Sequence, residues 1–457
     1  MIYKVLSFFV AAAVSFSAVA PFGACQDDSA VVAISSVGAA IDTAFENNKE
    51  IKIQEKELNV ARANILGAKS EFLPQLNSEA SYTHNGAVLN VGSSIVTSTK
   101  KDLGVVTGYN NDNKIGVSVD QIVYNGGANI ANLKQSQLNL KVAEQTLRAT
   151  KLDVEFETKR LYYGLLLAYE NLRITQELVD QAQLHYENVK DKFEHGTASR
   201  FDMLQSKVHV AKLLPELVKS RNAVKLMKED LKKVLGVDMN DAIEVKDMLT
   251  YKLVPLNEKQ FLKEAYLNKP EMILKSLGID ISAWGIKMAR SNGLAQINAD
   301  LGYNYRSNDV ADMFNSRHSN WNAGVVVRMP IFDGFSTKAK VDEAKAKYTQ
   351  AVLSKENVSD QVAVDIRKAC LDLKEAFSII KSQRANIVEA KDALRIAEIG
   401  YDNGVDINLD VLDAQVSLGQ VQQNLASAIY DYLMAEAYLK RTMGQGRAKE
   451  VKNEKKS

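Results

Sequence analysis

The chain contains one long motif twice, and this duplication restricts the possible folds more than any other feature of the sequence. The segments Lys192–Leu204 and Gly400–Leu412 align without a gap, at an offset of 404 − 196 = 208 positions. Three pairs of glycines keep this offset: Gly126 and Gly334, Gly196 and Gly404, and Gly236 and Gly444. A register that holds over more than a hundred residues indicates an internal repeat, so we expect two copies of one large supersecondary unit.

Upstream of these glycines the offset between the copies changes. Leu76 matches Ile297, which gives 297 − 76 = 221, so the first copy carries 221 − 208 = 13 additional residues. They lie between Tyr82 and Asp120 in a segment rich in Asn, Gly, Ser and Thr, which predicts a long surface loop at about 83–113. The equivalent loop of the second copy is expected at about 306–320. We therefore divide the chain into an export signal (1–25), copy one (26–236), a linker (237–257), copy two (258–444) and a polar, Lys-rich tail (445–457).

The first residues have the pattern of an export signal. Lys4 precedes an apolar stretch, Val5–Ala20, and small residues then lead into polar sequence. A membrane anchor is the alternative, but the stretch is short, and no later apolar run approaches the ~20 residues that a membrane helix needs. The residues before Cys25 resemble a lipoprotein box with Phe in place of Leu. Two possibilities stay open: Cys25 is lipidated, or the signal is cleaved close beside it.

Each copy is predicted as a helix, two strands, a very long helix and a return helix. Proline is absent from 126–195 and from 334–403, and ~70 helical residues would extend on the order of 100 Å. The return helices are expected at about 199–235 and 408–443. Apolar and small residues recur at seven-residue intervals, which is typical of a coiled coil, although an ordinary bundle core gives a similar pattern. These positions are Val179, Tyr186 and Phe193; Ala182, Val189 and Gly196; Ile387, Leu394 and Tyr401; and Ala390, Ala397 and Gly404.

Between the helices, segments of about ten residues alternate apolar and polar side chains. Alternation of this length is what the wall of a membrane barrel requires, while a half-buried soluble sheet is the alternative. Four strands cannot enclose a lumen, and open strand edges are not tolerated in lipid, so membrane strands would require several chains in one barrel. The clearest outward-facing sets are Ile115, Val117 and Val119; Ala299, Leu301, Tyr303 and Tyr305; and Trp321, Ala323, Val325, Val327 and Met329.

Charge and motif content argue against nucleic-acid binding and against enzymatic chemistry. Lys and Arg number 57 against 56 Asp and Glu, for a net charge of +1, so no general basic field for nucleic acid exists. We find no phosphate-binding loop, zinc-helix motif or serine elbow in the sequence. The five histidines are scattered without metal-ligand spacing, and Cys370 is the one cysteine besides Cys25. We therefore expect no catalytic residues, no cofactor and no bound metal.

Two motifs give the chain a resemblance to the TolC family of outer-membrane efflux proteins. The stronger is Tyr401–Gly404 followed by Leu409–Gln415, and the second is Met329–Phe335, the family's turn from the last strand into a long helix. The first-copy partner of that turn, Gln121–Gly127, lacks the proline. The resemblance covers essentially the whole mature chain. It implies an α plus membrane β-barrel fold: a homotrimer whose 3 × 4 = 12 strands form one outer-membrane barrel, continued by a long periplasmic coiled-coil barrel.

The resemblance also implies a function and partners. Such proteins are exit ducts of tripartite efflux pumps or type I secretion systems in Gram-negative bacteria. They act with a periplasmic adaptor and an inner-membrane transporter that is driven by protons or of the ABC type. The linker and the residues after Gly444 would form a belt around the helical barrel. The alternative function is a non-pore coiled-coil protein of the surface or the periplasm.

Residue by residue, the resemblance assigns several sites. Asp410 and Asp413 match the carboxylates of the periplasmic gate; the alternative is that they only stabilise a helix dipole. Tyr401 and Asp202 match a latch between helices, but the family's latch arginine is replaced by Asp406, and Arg200 is a candidate substitute. The adaptor-docking tips are Gly196, Thr197, Gly404 and Val405, and the strand-to-helix turns contain Asn125, Gly126, Pro330, Asp333 and Gly334.

Overall fold

The computed structural model describes residues 31–85 and 111–447. The predicted export signal, Cys25, most of the first-copy loop and nearly all of the tail therefore lie outside the described residues. The first copy contains α1 (Val37–Asn47), α2 (Lys49–Ser70), β2 (Gln75–His84), β3 (Asn111–Asn125), α3 (Ala128–Glu194) and α4 (Arg200–Leu235), preceded by β1 (Val31–Ile34). The second contains α5 (Glu258–Asn268), α6 (Pro270–Ser291), β5 (Gln296–Ser307), β6 (Ser319–Arg328), α7 (Ser336–Asp402) and α8 (Asn408–Thr442), preceded by β4 (Ala242–Val245).

Equivalent elements of the two copies keep the offsets that the sequence showed. The long helices α3 and α7 have 67 residues each and begin 336 − 128 = 208 positions apart. Helices α2 and α6 both have 22 residues and begin 270 − 49 = 221 positions apart. A 67-residue helix is roughly 100 Å long at about 1.5 Å per residue, and this length carries the helix ends far from the sheet.

The leading helix of each copy, predicted as one helix, is in fact two. Between α1 and α2, the Asn48 side-chain oxygen accepts from the backbone N–H groups of Glu50 (2.8 Å) and Ile51 (3.3 Å), which starts a new helix. Pro270 does the same at the first position of α6, because proline cannot donate the backbone bond that would continue α5. The apolar pattern continues across both breaks, so periodicity alone did not reveal them.

Four antiparallel strands form one sheet in the order β2-β3-β5-β6. The register pairs Asp120 with Gln75 and with Asp300, and Tyr303 with Trp321. Because side chains alternate across a strand, one face is polar and the other is apolar. The polar face carries the Lys114–Glu79 (3.2 Å) and Arg306–Asp112 (2.7 Å) ion pairs. The apolar face carries Leu76, Ala80, Tyr82, Ile115, Val117, Val119, Ile297, Leu301, Tyr303, Trp321, Val325 and Val327.

The helices pair as two long hairpins, α3 with α4 and α7 with α8, and apolar clusters hold each pair. One cluster joins α3 to α4 and α1 through Tyr162, Leu231, Leu235 and Ala44. A second joins α7 to α8 through residues such as Ile366 and Tyr432, and a third continues towards the hairpin end with Leu394 and Val411. Of the twelve predicted seam positions, five are buried (Val179, Ala182, Val189, Leu394 and Ala397), five are half-buried (Tyr186, Phe193, Ile387, Ala390 and Tyr401), and the two tip glycines, Gly196 and Gly404, are exposed. The seven-residue pattern therefore marks real helix contacts.

A small parallel sheet of β1 and β4, which the sequence did not predict, lies against the first hairpin. Val31 pairs with Ala242, and Ile34 pairs with Val245. Ile34, Ile243 and Val245 are buried in the same cluster as Leu161 and Tyr162. The region predicted as a linker is thus attached to the middle of α3. Among the described residues, no helix is long and apolar enough to cross a membrane.

Candidate functional site

The candidate site is the end of the molecule where both hairpins turn. Gly196 (φ 77°) and Gly404 (φ 74°) adopt the left-handed conformation that glycine tolerates best. The N–H of Thr197 donates to the Lys192 carbonyl and that of Val405 to the Gly400 carbonyl, both at 2.8 Å, which ends each long helix. Val405 is 80% exposed. The predicted docking residues therefore form two equivalent, uncovered tips.

Asp410 and Asp413 are exposed in the first two turns of α8. The Asp410 carboxylate accepts from the backbone N–H of Ile407 at 3.1 Å, so it caps the helix as the alternative interpretation required. Asp413 lines a groove between α4 and α8 together with His209 and Lys212. Among the described residues, the Asp410 carboxylate is assigned only this capping bond. Its predicted gate role therefore depends on contacts with other copies of the chain.

The predicted latch residues occupy the same region but are not joined as the resemblance implied. Asp202 forms a capping box, in which its carboxylate accepts from the Ser199 backbone N–H at 3.2 Å and the Ser199 hydroxyl oxygen accepts from the Asp202 N–H at 3.1 Å. Asp406 packs its carboxylate against Gly400. Arg200 is exposed and forms no ion pair within the described part of the chain. Asp202 and Arg200 thus belong to the first helical turn of α4.

Tyr401 does connect the two hairpins, through residues that the sequence did not single out. The Lys192 ammonium lies 4.4 Å from the Tyr401 ring centroid and forms a 2.9 Å ion pair with Asp402. The His185 and Tyr401 rings meet edge to face, with centroids 5.4 Å apart. Burial raises the pKa of Tyr401, and the carboxylates of Asp202 and Asp402 raise it further. Its phenol is therefore neutral near pH 7.

A buried amide, also missed from the sequence, lies at the start of α8. Asn408 is 2% exposed, and its Oδ1 atom lies 2.7 Å from His185 Nε2 and 3.0 Å from the Ser206 hydroxyl. Its Nδ2 atom donates to the Gln205 side-chain oxygen at 3.1 Å and to the Asp202 carbonyl at 3.4 Å. The amide thus joins α8 to both helices of the other hairpin. The available signal was that His185 lies between the seam positions Ala182 and Val189.

The strand-to-helix turns are built alike in the two copies, although the residues differ. The Asn125 side-chain oxygen accepts from the N–H of Asn129 at 3.1 Å, and Asp333 accepts from that of Thr337 at 2.7 Å. Gly126 (φ 66°) and Gly334 (φ 63°) follow as left-handed residues. Pro330 lies just beyond the end of β6, where no strand hydrogen bond is lost. These turns fix how the sheet continues into α3 and α7.

The same architecture occurs in known proteins. A family model described as outer membrane efflux protein matches residues 40–237 and 262–445. The "Outer membrane protein TolC" of Vibrio cholerae is 23% identical over 416 residues, which cover 88% of this chain and 89% of that protein. The Campylobacter jejuni CmeC outer membrane channel superposes with a TM-score of 0.76 at 19% identity, covering 92% of this chain and 89% of that one. The outer membrane protein VceC of Vibrio cholerae gives a TM-score of 0.75 at 19% identity, covering 90% and 96%.

The fold and the twin hairpin tips define a channel-type outer-membrane protein built from helices and a sheet. The family model covers well over half of the chain, and the chain belongs to the outer membrane efflux protein family. It is accordingly an outer-membrane protein. The resemblance inferred from the tip and turn motifs is confirmed, while the superpositions, at under 25% identity, establish the fold alone.

Proposed function

We propose that the chain is the outer-membrane exit duct of a tripartite efflux pump or a type I secretion system in a Gram-negative bacterium. Three copies would share one 12-stranded barrel, and their hairpins would form a tunnel through the periplasm. A periplasmic adaptor would dock at the tips, and an inner-membrane transporter would drive export. In this role the protein needs neither a cofactor nor catalytic residues.

The sheet carries this proposal, because on its own it is incomplete. Within the described residues, β2 and β6 each pair on one side only. The apolar face is uncovered: Leu76 is 72%, Trp321 70% and Val325 67% exposed. Such a face suits lipid, and free edges in lipid must be closed by further strands. Joining β6 of one copy to β2 of the next satisfies both requirements at once.

The surface of α4 supports the assembly independently. One stripe of α4, which includes Val210, Leu217 and Val224, is buried against its hairpin partner. A second apolar stripe contains Phe201, Leu204 and Val208, which are 72%, 45% and 52% exposed and line the groove between α4 and α8. Two apolar stripes on one helix fit a closed ring of helices, in which each helix has a neighbour on both sides.

Asp410 and Asp413 are the proposed gate. A spacing of three places both carboxylates on one helix face, and three copies would bring 3 × 2 = 6 of them around the pore. A ring of carboxylates favours cations and repels itself, so protons or divalent cations would stabilise the narrow state.

Single-channel current in a planar bilayer tests the duct and its gate together. We expect a small, cation-selective conductance in the wild type that divalent cations block. In Asp410→Ala/Asp413→Ala, the apparent Kd of the block should rise at least about tenfold, since each 1.4 kcal/mol of lost binding corresponds to a factor of ten.

Asp202→Ala is the matched control, because Asp202 caps α4 as Asp410 caps α8. Loss of a cap alone would alter both variants, whereas loss of the gate weakens the block only in the double variant. If divalent cations block the conducting double variant as strongly as the wild type, residues other than Asp410 and Asp413 form the gate. Absence of conductance from folded wild-type protein would support the non-pore coiled-coil alternative.

A further inference from the structure

At the tip, the buried amide of Asn408 joins the two hairpins of one chain, beside the contacts that Lys192 and His185 make with Tyr401. Its four contacts reach His185 on α3 and Asp202, Gln205 and Ser206 on α4. Asp202, in the first turn of α4, takes part through its backbone carbonyl, while its carboxylate bonds to Ser199 of the same chain segment. The contact between hairpins therefore depends on one asymmetric polar cluster.

The hydrogen-bond directions in this cluster fix the proton on the histidine. Asn408 Nδ2 donates to two groups that can only accept here, the Gln205 side-chain oxygen and the Asp202 carbonyl. Asn408 Oδ1 is then the acceptor for both the Ser206 hydroxyl and His185 Nε2. Neutral His185 with its hydrogen on Nε2 satisfies the site completely. A second proton would place a charge on a ring that is 7% exposed.

The groups around His185 come from four helices. The hydrogen bond to Asn408 on α8 favours a charged ring, but burial outweighs it and the pKa of His185 is lowered. The positive charge of Lys192 on α3 disfavours a proton on His185. The carboxylate of Asp402 on α7 favours that proton but is already paired with Lys192. On α4, His209 lies close enough to interact electrostatically, and its Nε2 atom is buried without a partner among the described residues. Beyond His209, Lys212 adds positive charge and Asp413 negative charge. Burial is the largest cause that lowers the pKa of both histidines.

We propose that the His185–Asn408 contact is a pH-responsive latch, which holds the α3–α4 hairpin against the start of α8 while His185 is neutral and releases it when His185 is protonated. The inference rests on the proposed function, because a latch at the tip matters only if the tip closes a duct. His185 acts as a positioning residue, because it holds Asn408 in place.

The direction of the pH effect follows from the lowered pKa. A histidine that becomes exposed when the tip opens returns towards its ordinary pKa of 6.5, so the open state binds the proton more readily than the closed state. The closed tip therefore has its full stability above pH 6.5 and loses stability as the pH falls below that value. Each unit of difference between the two pKa values permits about a tenfold shift in the equilibrium.

Hydrogen–deuterium exchange of residues 408–415 in the full-length protein tests the latch without depending on conductance. After correction for intrinsic rates, exchange in the wild type should rise on the order of 3- to 10-fold between about pH 7.5 and about pH 5.5. His185→Gln retains an amide donor but cannot take up a proton, so its exchange should stay slow at both pH values. Asn408→Ala removes the acceptor and should exchange fast at both. His195→Gln, an exposed tip histidine bonded to its own helix, should behave as the wild type does.

Single-channel recordings of the same variants separate this inference from the proposed function. Because protons at Asp410 and Asp413 would stabilise the narrow state, the recordings use the Asp410→Ala/Asp413→Ala background. A rise in open probability with falling pH in that background, abolished by adding His185→Gln, supports the latch. Conductance with an unchanged pH response in His185→Gln overturns the latch and leaves the duct intact. If the exchange shows the pH response but neither the wild type nor any variant conducts, the latch is real and the proposed duct is wrong. Equal exchange in the wild type and His185→Gln at both pH values overturns the latch by itself.

Discussion

The contacts within a hairpin and the contacts between hairpins differ in kind. Within the second hairpin, α7 and α8 meet through apolar side chains such as Ile366 and Leu373, which are 0% and 1% exposed. Between the hairpins at the tip, the contacts include the His185–Asn408 hydrogen bond, the Lys192–Asp402 ion pair and the packing of Lys192 and His185 on the Tyr401 ring. Apolar burial is non-directional and strong in total, whereas polar contacts depend on geometry and charge state. Each hairpin should therefore move as a unit, and the polar surface between hairpins should be where movement occurs.

The largest effect is expected from a cavity within a hairpin. Ile366→Ala removes a fully buried side chain from the cluster that joins α7 to α8, which should lower the free energy of unfolding by about 2–5 kcal/mol. Denaturant unfolding followed by circular dichroism measures the loss, and exposed Lys381→Ala on the same helix serves as control. A loss as small as that of the control would mean that hairpins are not held together by their apolar seams.

The seven-residue pattern predicted these seams, because burial of every third and fourth residue leaves a regular apolar pattern in the sequence. The proline-free stretches 126–195 and 334–403 predicted the bounds of α3 and α7 closely. The breaks at Asn48 and Pro270 escaped prediction, since a hydrogen-bonding cap interrupts the backbone without changing which face is apolar. The β1–β4 sheet also escaped, because two strands of four residues each pair across 242 − 31 = 211 positions. Pairing at that distance leaves no local pattern in the sequence.

At the tip, sequence patterns located the region but not its contacts. The motif placed Tyr401 correctly between the hairpins, yet its partners proved to be Lys192 and His185. The place of His185 between two seam positions indicated burial but not a partner, because the partner lies on α8, 408 − 185 = 223 positions away. The same applies to Asn408, which at the start of a helix is usually a cap rather than a bridge.

A smaller effect is expected from removing one bond between the hairpins. Ser206→Ala deletes the hydroxyl that donates to Asn408 Oδ1 at 3.0 Å, while His185 continues to satisfy that oxygen. The free energy of unfolding should fall by only about 0.5–1.5 kcal/mol, yet exchange of residues 408–415 should rise at neutral pH. Ser220→Ala on the same helix, whose hydroxyl donates to the Glu216 carbonyl in its own helix, is the control. If residues 408–415 exchange equally fast in Ser206→Ala and Ser220→Ala, the Ser206–Asn408 hydrogen bond does not hold the two hairpins together.

The smallest effect should come from Lys192→Met, and its salt dependence is more informative than its size. The Asp402 partner of Lys192 is 64% exposed, so the ion pair and the cation–π contact to Tyr401 together should contribute only about 0.5–1 kcal/mol. Methionine keeps the apolar stem and removes the charge. Raising the salt concentration should screen the wild-type pair and leave the variant unchanged, so thermal unfolding of the two proteins should converge at high salt. If the two proteins still differ in thermal stability at high salt, Lys192 acts mainly by packing on the Tyr401 ring. Charge would then contribute little to the contact between the hairpins at this point.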